Sequence, residues 1–239
     1  MSTRASEIVD RQIRTWRLQQ NARVREAQAN AVTALSNVVA VSSTFGAMGP
    51  DVARIVAHSL DVPLYDREVL EHIAKTARIH VETVETLDER AQGALDNYLT
   101  ALFRENNFDQ SDYFRLLTRT VAALWSHGPC VFVGRGSPFI IDRRWALAVR
   151  FDAPLALRVE RVAKLEHLSP QEARRRVHRV DAERTAFLKH FFDRDGSDPL
   201  GYDLVVNTAE LDVERAAAIV LAAFRARFHG QGPDSDLEE

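Results

Sequence analysis

VVAVSSTFGAMGPDVARIVAHSL, residues 38–60, divides into three pieces. Val38 to Val41 is a short apolar run with the character of a buried strand, and Ser42 to Gly49 is a loop of mostly small residues. From Asp51 the spacing is helical, with Val52, Ile55, Val56 and Leu60 on one face. In a strand–loop–helix turn the first free backbone N–H groups of the helix point back into the loop. Together with the helix dipole they make an anion site suited to phosphate. The side chains only half agree. The phosphate-loop consensus G-x-x-x-x-G-K-[ST] is not met: Gly46 and Gly49 stand too close together, and Pro50 and Asp51 occupy the places of Lys and Ser/Thr.

Outward from this stretch, strands and helices alternate. Val62 to Tyr65 is a second strand closed by Asp66, and Arg67 to Ala77 is an amphipathic helix with Val69, Leu70 and Ile73 inward. Residues 79–127 are helical in pattern apart from the polar stretch Glu105 to Ser111, and form a helical insertion. Cys130 to Val133 is a third strand running into Gly134-Arg135-Gly136, and Leu147 to Phe151 is a fourth. Pro154 opens a helix at a position where its missing N–H costs nothing. Ser169-Pro170-Gln171-Glu172 is a capping box from which a helix runs towards Phe191. After a loop over Asp193 to Gly201, Leu204 to Val206 is a fifth strand, and Asp212 caps a last helix ending near Phe228. Short, continuously apolar strands between helices predict an α/β protein with a parallel sheet covered on both faces. Ligands in such sheets bind beyond the carboxyl ends of the strands. The loops at those ends, 42–49, 66–67, 134–136, 152–153 and 207–208, are therefore expected to converge on one cleft.

The 239 residues suffice for one domain with extras, and 46% hydrophobic content supplies its core. A formal net charge of -3 gives no whole-protein attraction for nucleic acid, so anion binding must be local. The single cysteine, Cys130, excludes an internal disulfide framework and lies mid-strand, as a core residue does. No apolar run approaches the roughly 20 residues of a membrane span, and residues 1–30 lack a signal-peptide core, so a cytoplasmic protein without membrane contact is expected. Residues 1–36 read as an arginine-rich helical extension, either a solvated cap or an arm docking on a second copy or a protein partner. Residues 230–239 read as a polar, frayed tail.

Arginine carries the chemistry. Arg135 sits between two glycines just past a strand, Arg158 and Arg161 are three apart on the helix after the fourth strand, and Arg174, Arg175, Arg176, Arg179 and Arg184 crowd the next helix. Planar guanidinium groups bind phosphate oxygens bidentately and stay charged. Arg174 to Arg176 also suit a plain solvated face. The histidines form no close ligand set, so no protein metal centre is expected. Ser42 and Ser43 have no paired base.

The succession of the small-residue loop, PLYDREVL, VFVGRG, FDAPLALRVER, DAER and YDLVVNT resembles the cytidylate-kinase-like branch of the nucleoside monophosphate kinases, from Val38 to about Phe228. The resemblance implies a P-loop NTPase-type domain over 37–229, with a five-stranded parallel sheet and helices on both faces. It also implies a helical insertion at about 79–127 that binds the monophosphate and an arginine-bearing lid at about 169–192. The implied reaction moves the γ-phosphoryl group of ATP, with Mg2+, to a nucleoside monophosphate, CMP or dCMP. Gly46, Ala47 and Gly49 then fall on the phosphate loop, Asp66 and Arg67 face the acceptor, and Arg135 is the arginine of the family's G-R-G. Arg158 is the first arginine of its helix, Arg161 joins the phosphate-binding set, and Asp181 and Arg184 are the lid's D-x-x-R. Arg158 and Arg184 are the implied charge clamps, with Asp66 or Asp181 orienting the acceptor or a hydrated magnesium ion.

This chain departs from the family's S-R-E-F-G-S-G-G plus basic residue at Ser43, Thr44, Ala47, Met48 and Pro50. Arg54, one turn on, is the candidate replacement for the lost cation. One donor or charge missing from such a site costs about 2.7–4 kcal/mol of barrier. Two functions follow: an active nucleoside monophosphate kinase, or a catalytically inactive relative serving as nucleotide sensor or interaction scaffold.

Overall fold

β1 (Val38–Ser43) occupies the middle of a parallel sheet of five strands, in the order β2-β3-β1-β4-β5. The others are β2 (Leu64–Tyr65), β3 (Val131–Val133), β4 (Ala146–Asp152) and β5 (Leu204–Asn207). In this computed structural model residues 37–75, 89–105 and 111–228 are described. The expected extension over 1–36, the insertion residues 76–88, most of the polar break and the tail lie outside them. With a strand on each side and helices on both faces, β1 has no solvent to meet, which is why its first four residues are all apolar. Val38 and Ala40 face one core with Phe114, Trp125, Phe132 and Phe192. Val39 and Val41 face the other, with Val52, Val56, Val220 and Phe224.

The helices begin largely where local chemistry starts them. α1 (Gly49–Ser59) follows Met48, and α2 (Arg67–Lys75) follows Asp66, whose Oδ1 accepts the Val69 N–H at 3.0 Å. The insertion supplies α3 (Glu89–Glu105) and α4 (Asp112–Ser126), the latter capped by Ser111. α6 (Leu155–Glu166) has Pro154 just ahead of its first turn. α7 (Pro170–Phe192) opens with the foreseen capping box: Ser169 Oγ accepts from the Glu172 N–H, and Glu172 Oε2 accepts from the Ser169 N–H at 3.0 Å. α8 (Val213–Phe228) starts after Asp212, whose Oδ1 accepts from Arg215 N–H at 2.7 Å. The sequence pattern missed α5 (Ser137–Ile140), a single turn too short to show a period. Among the described residues no helix is long and apolar enough to cross a membrane.

Two features position the site. β1 lies between β3 and β4, and the loops that follow β1 and β3 open a crevice at the carboxyl ends of the strands. The far end of α7 is then fastened to the insertion: Phe114 of α4 stacks on Phe191 with centroids 5.2 Å apart and meets Phe192 edge-on at 4.9 Å. Phe192 in turn covers Gly136, which has φ 71°, and a Cβ there would lie 2.1 Å from Phe192 Cζ. Gly136→Ala is therefore expected to lose about 2–4 kcal/mol, combining left-handed backbone strain with overpacking. Urea unfolding measures it, and an unchanged midpoint would refute the close approach.

Candidate active site

The loop after β1 is held through its carbonyl groups. Arg184 Nη1 donates to Ser43 O at 2.6 Å, Arg158 Nη1 to Phe45 O at 3.1 Å, Arg161 Nη1 to Gly46 O at 3.4 Å and Thr208 Oγ1 to Ala47 O at 3.4 Å. Peptide units are planar and trans, so the N–H groups of Gly46, Ala47 and Met48 turn to the side opposite these donors. Phe45 N–H donates to Asp181 Oδ1 at 2.8 Å, and Ala47 N–H closes a turn on Thr44 O at 3.3 Å. Pro50 has no N–H to offer. Gly46 has φ 85°, and a Cβ on it would stand 2.8 Å from Arg158 O, so only glycine fits against α6 there. Met48, in the place where the family has glycine, has φ 61°, a left-handed conformation that costs a side-chain-bearing residue roughly 1–2 kcal/mol.

Next to the loop lies a cleft of about 400 Å³ at the carboxyl ends of the strands. It touches the loop at Ser43, Thr44 and Pro50. Four arginines line it: Arg67 from the end of β2, Arg135 from the end of β3, Arg150 from β4 and Arg184 from α7. Arg67 Nε lies 3.1 Å from Glu71 Oε1, and Arg135 pairs with the same carboxylate. The Arg135 guanidinium lies 4.7 Å over the Phe187 ring, and its buried Nε has no hydrogen-bond partner among the described residues. Burial, with Arg67 and Arg184 nearby, pulls the Arg135 pKa down to about 10. Arg184 is also lowered: burial outweighs Asp181, and Arg67, Arg150 and Arg158 add repulsion. A depressed cation pKa means that the charged form is held at a cost to the folded state at neutral pH. A multivalent anion in the cleft relieves that cost.

The predicted residues divide between the cleft and its foundation. Asp66, Arg67, Arg135, Asp181 and Arg184 reach the cleft. Arg158, expected as a charge clamp, sits instead beneath the loop: its Nε donates to Ala153 O at 2.9 Å and its Nη1 to Asp181 Oδ2 at 2.5 Å. Arg161 is likewise spent on Thr208, at 2.7 Å to O and 3.1 Å to Oγ1. Arg54 is not brought to the cleft: it lies 2.6 Å from Asp51 on the exposed side of α1, because α1 turns position 54 away from the loop. Loops 152–153 and 207–208 reach the underside of the phosphate loop rather than the cleft, through Asp152, Ala153 and Thr208. Arg150 was not foreseen. Its signal was present, since an arginine inside an apolar central strand is rarely buried without a partner or a task.

Among the described residues no three His, Cys, Asp or Glu side chains are grouped to cage a metal. A magnesium ion carried on a triphosphate needs only one or two carboxylates and water. Asp181 and Asp66 at the cleft suit that role, each retaining lone pairs beyond its present bonds.

A glycine-containing loop between a central parallel strand and a helix, with arginines gathered at the strand ends, defines a P-loop NTPase-type α/β protein. The model of the cytidylate kinase-like family matches residues 38–210, and the chain belongs to that family. Among curated proteins it is 32% identical over 87 residues to a cytidylate kinase of Methanopyrus kandleri, covering 36% of this chain and 45% of that protein. A cytidylate kinase of Pyrococcus horikoshii is 32% identical over 96 residues, 40% of this chain and 50% of that one. The chain thus spans about half the length of the curated relatives it matches. A crystal structure of an uncharacterized protein from Eubacterium ventriosum shares the fold, with TM-score 0.63 and 19% identity over 80% of this chain and 99% of that one.

Asp181 joins the loop, α6 and α7, so Asp181→Asn removes the charge from the bond that satisfies the buried Arg158. The protein is expected to lose about 1.5–3 kcal/mol, the range for a hydrogen bond to a charged group. The check is the shift in urea midpoint; a midpoint like that of the unmodified protein would show the brace to be dispensable.

Proposed function

We propose that the chain is a phosphotransferase that moves the γ-phosphoryl group of ATP to a nucleoside monophosphate, CMP or dCMP. The observation that carries this reading is the gathering of Arg67, Arg135 and Arg184 on one cleft beside the phosphate loop. Arg67 and Arg135 hold the acceptor phosphate, and Asp66 orients the acceptor. Phe139 and Phe187 offer apolar cover in the same cleft. Arg184, tied to Ser43 O and lining the cleft, neutralises charge on the phosphoryl group in transit. Magnesium bound to the triphosphate would be met through water by Asp181 and would neutralise phosphate charge. An acceptor phosphate oxygen attacks the γ-phosphorus while the bond to the β-phosphate oxygen breaks. Because the second phosphate pKa is about 6, that nucleophile is already largely ionised at neutral pH and needs no general base. The protein's part is positioning and electrostatics. A cytoplasmic location suits these substrates.

A second reading, an inactive nucleotide sensor or an interaction scaffold working through residues 1–36, is favoured by the loop itself. Met48 is left-handed, Pro50 brings neither charge nor N–H, and Asp181 occupies the Phe45 N–H. A coupled assay with ATP, magnesium and each monophosphate separates the readings. Turnover with CMP or dCMP, lowered about 100- to 1000-fold in Arg184→Ala, is expected of the enzyme. ATP raising the melting temperature without turnover is the outcome for a sensor, since a ligand of the native state stabilises it. Neither effect leaves the scaffold.

A further inference from the structure

The phosphate loop lacks the cation that its family carries after the last glycine, and the arginines foreseen as substitutes are engaged elsewhere. Arg54 faces solvent with Asp51, while Arg158 and Arg161 spend their donors on backbone carbonyls, Thr208 and Asp181. Among the described residues two guanidiniums lie beside the loop with donors to spare: Arg184, which gives one bond to Ser43 O, and Arg150 on the other flank.

Arg150 lies on β4 directly opposite Ser42 of β1, two residues before Asp152, which ends the strand and accepts from Thr44. The residue is 9% exposed, yet it lines the same cleft as Ser43, Thr44 and Pro50. Among the described residues its single hydrogen bond runs from Nη2 to Asp152 Oδ2 at 3.3 Å, long for a charge-assisted bond. Asp152 is itself divided, since its Oδ1 accepts from Thr44 Oγ1 at 2.8 Å and from Ala153 N–H at 2.9 Å. The guanidinium also lies over an aromatic ring: its carbon is 5.7 Å from the centre of the Tyr202 ring. That ring is fixed by its hydroxyl, which donates to Gly196 O at 3.0 Å and lies 3.4 Å from Ser42 Oγ. A central parallel strand is better served by an apolar residue, and a weakly paired arginine there costs stability. A guanidinium placed over an aromatic ring, with most of its five N–H donors uncommitted among the described residues, is prepared for an anion.

We propose that Arg150 binds the terminal phosphates of the donor triphosphate and supplies from β4 the cation that position 50 no longer provides. The proposal rests on the phosphotransferase reading. Arg67 and Arg135 stand on the β2/β3 side of β1 and Arg150 on the β4 side, so the acceptor and donor phosphates are gripped from opposite flanks of the loop.

The test measures calorimetric binding of inorganic tripolyphosphate and of Mg-ATP to the full chain and to Arg150→Met, Arg150→Lys and Arg150→Met/Pro50→Lys. Arg150→Met is expected to weaken tripolyphosphate at least tenfold and to lower turnover about 100-fold, within the range for a lost charge contact. The KM for the acceptor is expected to stay unchanged, and the unliganded melting temperature not to fall. Arg150→Lys keeps the charge without the planar fork and loses less, and Pro50→Lys restores part of the binding in the double variant. If Arg150→Met does not fold, Arg150→Lys alone decides, and an affinity equal to that of the unmodified chain overturns the proposal. Equal tripolyphosphate affinity in the unmodified chain and Arg150→Met, with turnover intact, overturns the role of Arg150 and leaves the phosphotransferase reading standing. Failure of the unmodified chain to bind either probe overturns both.

Discussion

The ion pair between Arg158 and Asp181, 2.5 Å long and set beneath the phosphate loop, is the contact on which the site depends. One end of it belongs to α6 and the other to α7, and both partners also bond to Phe45, Arg158 to its carbonyl and Asp181 to its N–H. Two consecutive helices and the tip of the loop, more than a hundred residues away in sequence, are thereby fixed relative to one another. A charged pair in so small an exposed area is justified only when its remaining donors and acceptors are met. Here the loop backbone meets them. The loop's shape is consequently a property of α7 as much as of its own residues.

The rest of the cleft is densely charged. Arg67, Arg135, Arg150 and Arg184 line one space with Asp66, Glu68, Asp181 and Glu183, while Glu71 serves both Arg67 and Arg135 and Asp152 sits at 3.3 Å from Arg150. Burial of Arg135 and Arg184 costs the folded state, and the aromatic packing of Phe114, Phe191 and Phe192 anchors α7 against it. The capping box at Ser169 secures the other end of the same helix. The arginine-bearing face of α7 is thus held against the loop from both ends.

The departures within the loop take their meaning from this setting. Gly46 is kept where the backbone of α6 presses on it, and the glycine of the family is replaced at Met48, where the backbone is still left-handed but no neighbour forbids a side chain. Steric necessity was retained and conformational ease was given up. Pro50 fits the first turn of α1 and removes a charge, while Arg150 stands across the strand pair from Ser42.

Much of this was legible in the chain itself. Apolar runs bounded by glycine and proline marked the strands, helical spacing marked the helices, and the Ser169 capping box and the Asp212 cap located two helix starts, because each of these is settled by residues within one turn of one another. The order of the motifs gave the family. Local patterning left three things open, and only the tertiary structure decided them. It separated Arg184, in the cleft, from Arg158 and Arg161, beneath the loop, although all three stand on helices in similar sequence surroundings. It turned Arg54 to solvent. It set Arg150 beside Ser42 through the parallel register of β1 and β4, strands more than a hundred residues apart. The physical reason is common to all three: where a guanidinium ends up is fixed by the carbonyls, carboxylates and rings brought to it by distant parts of the chain, and periodicity carries no record of those.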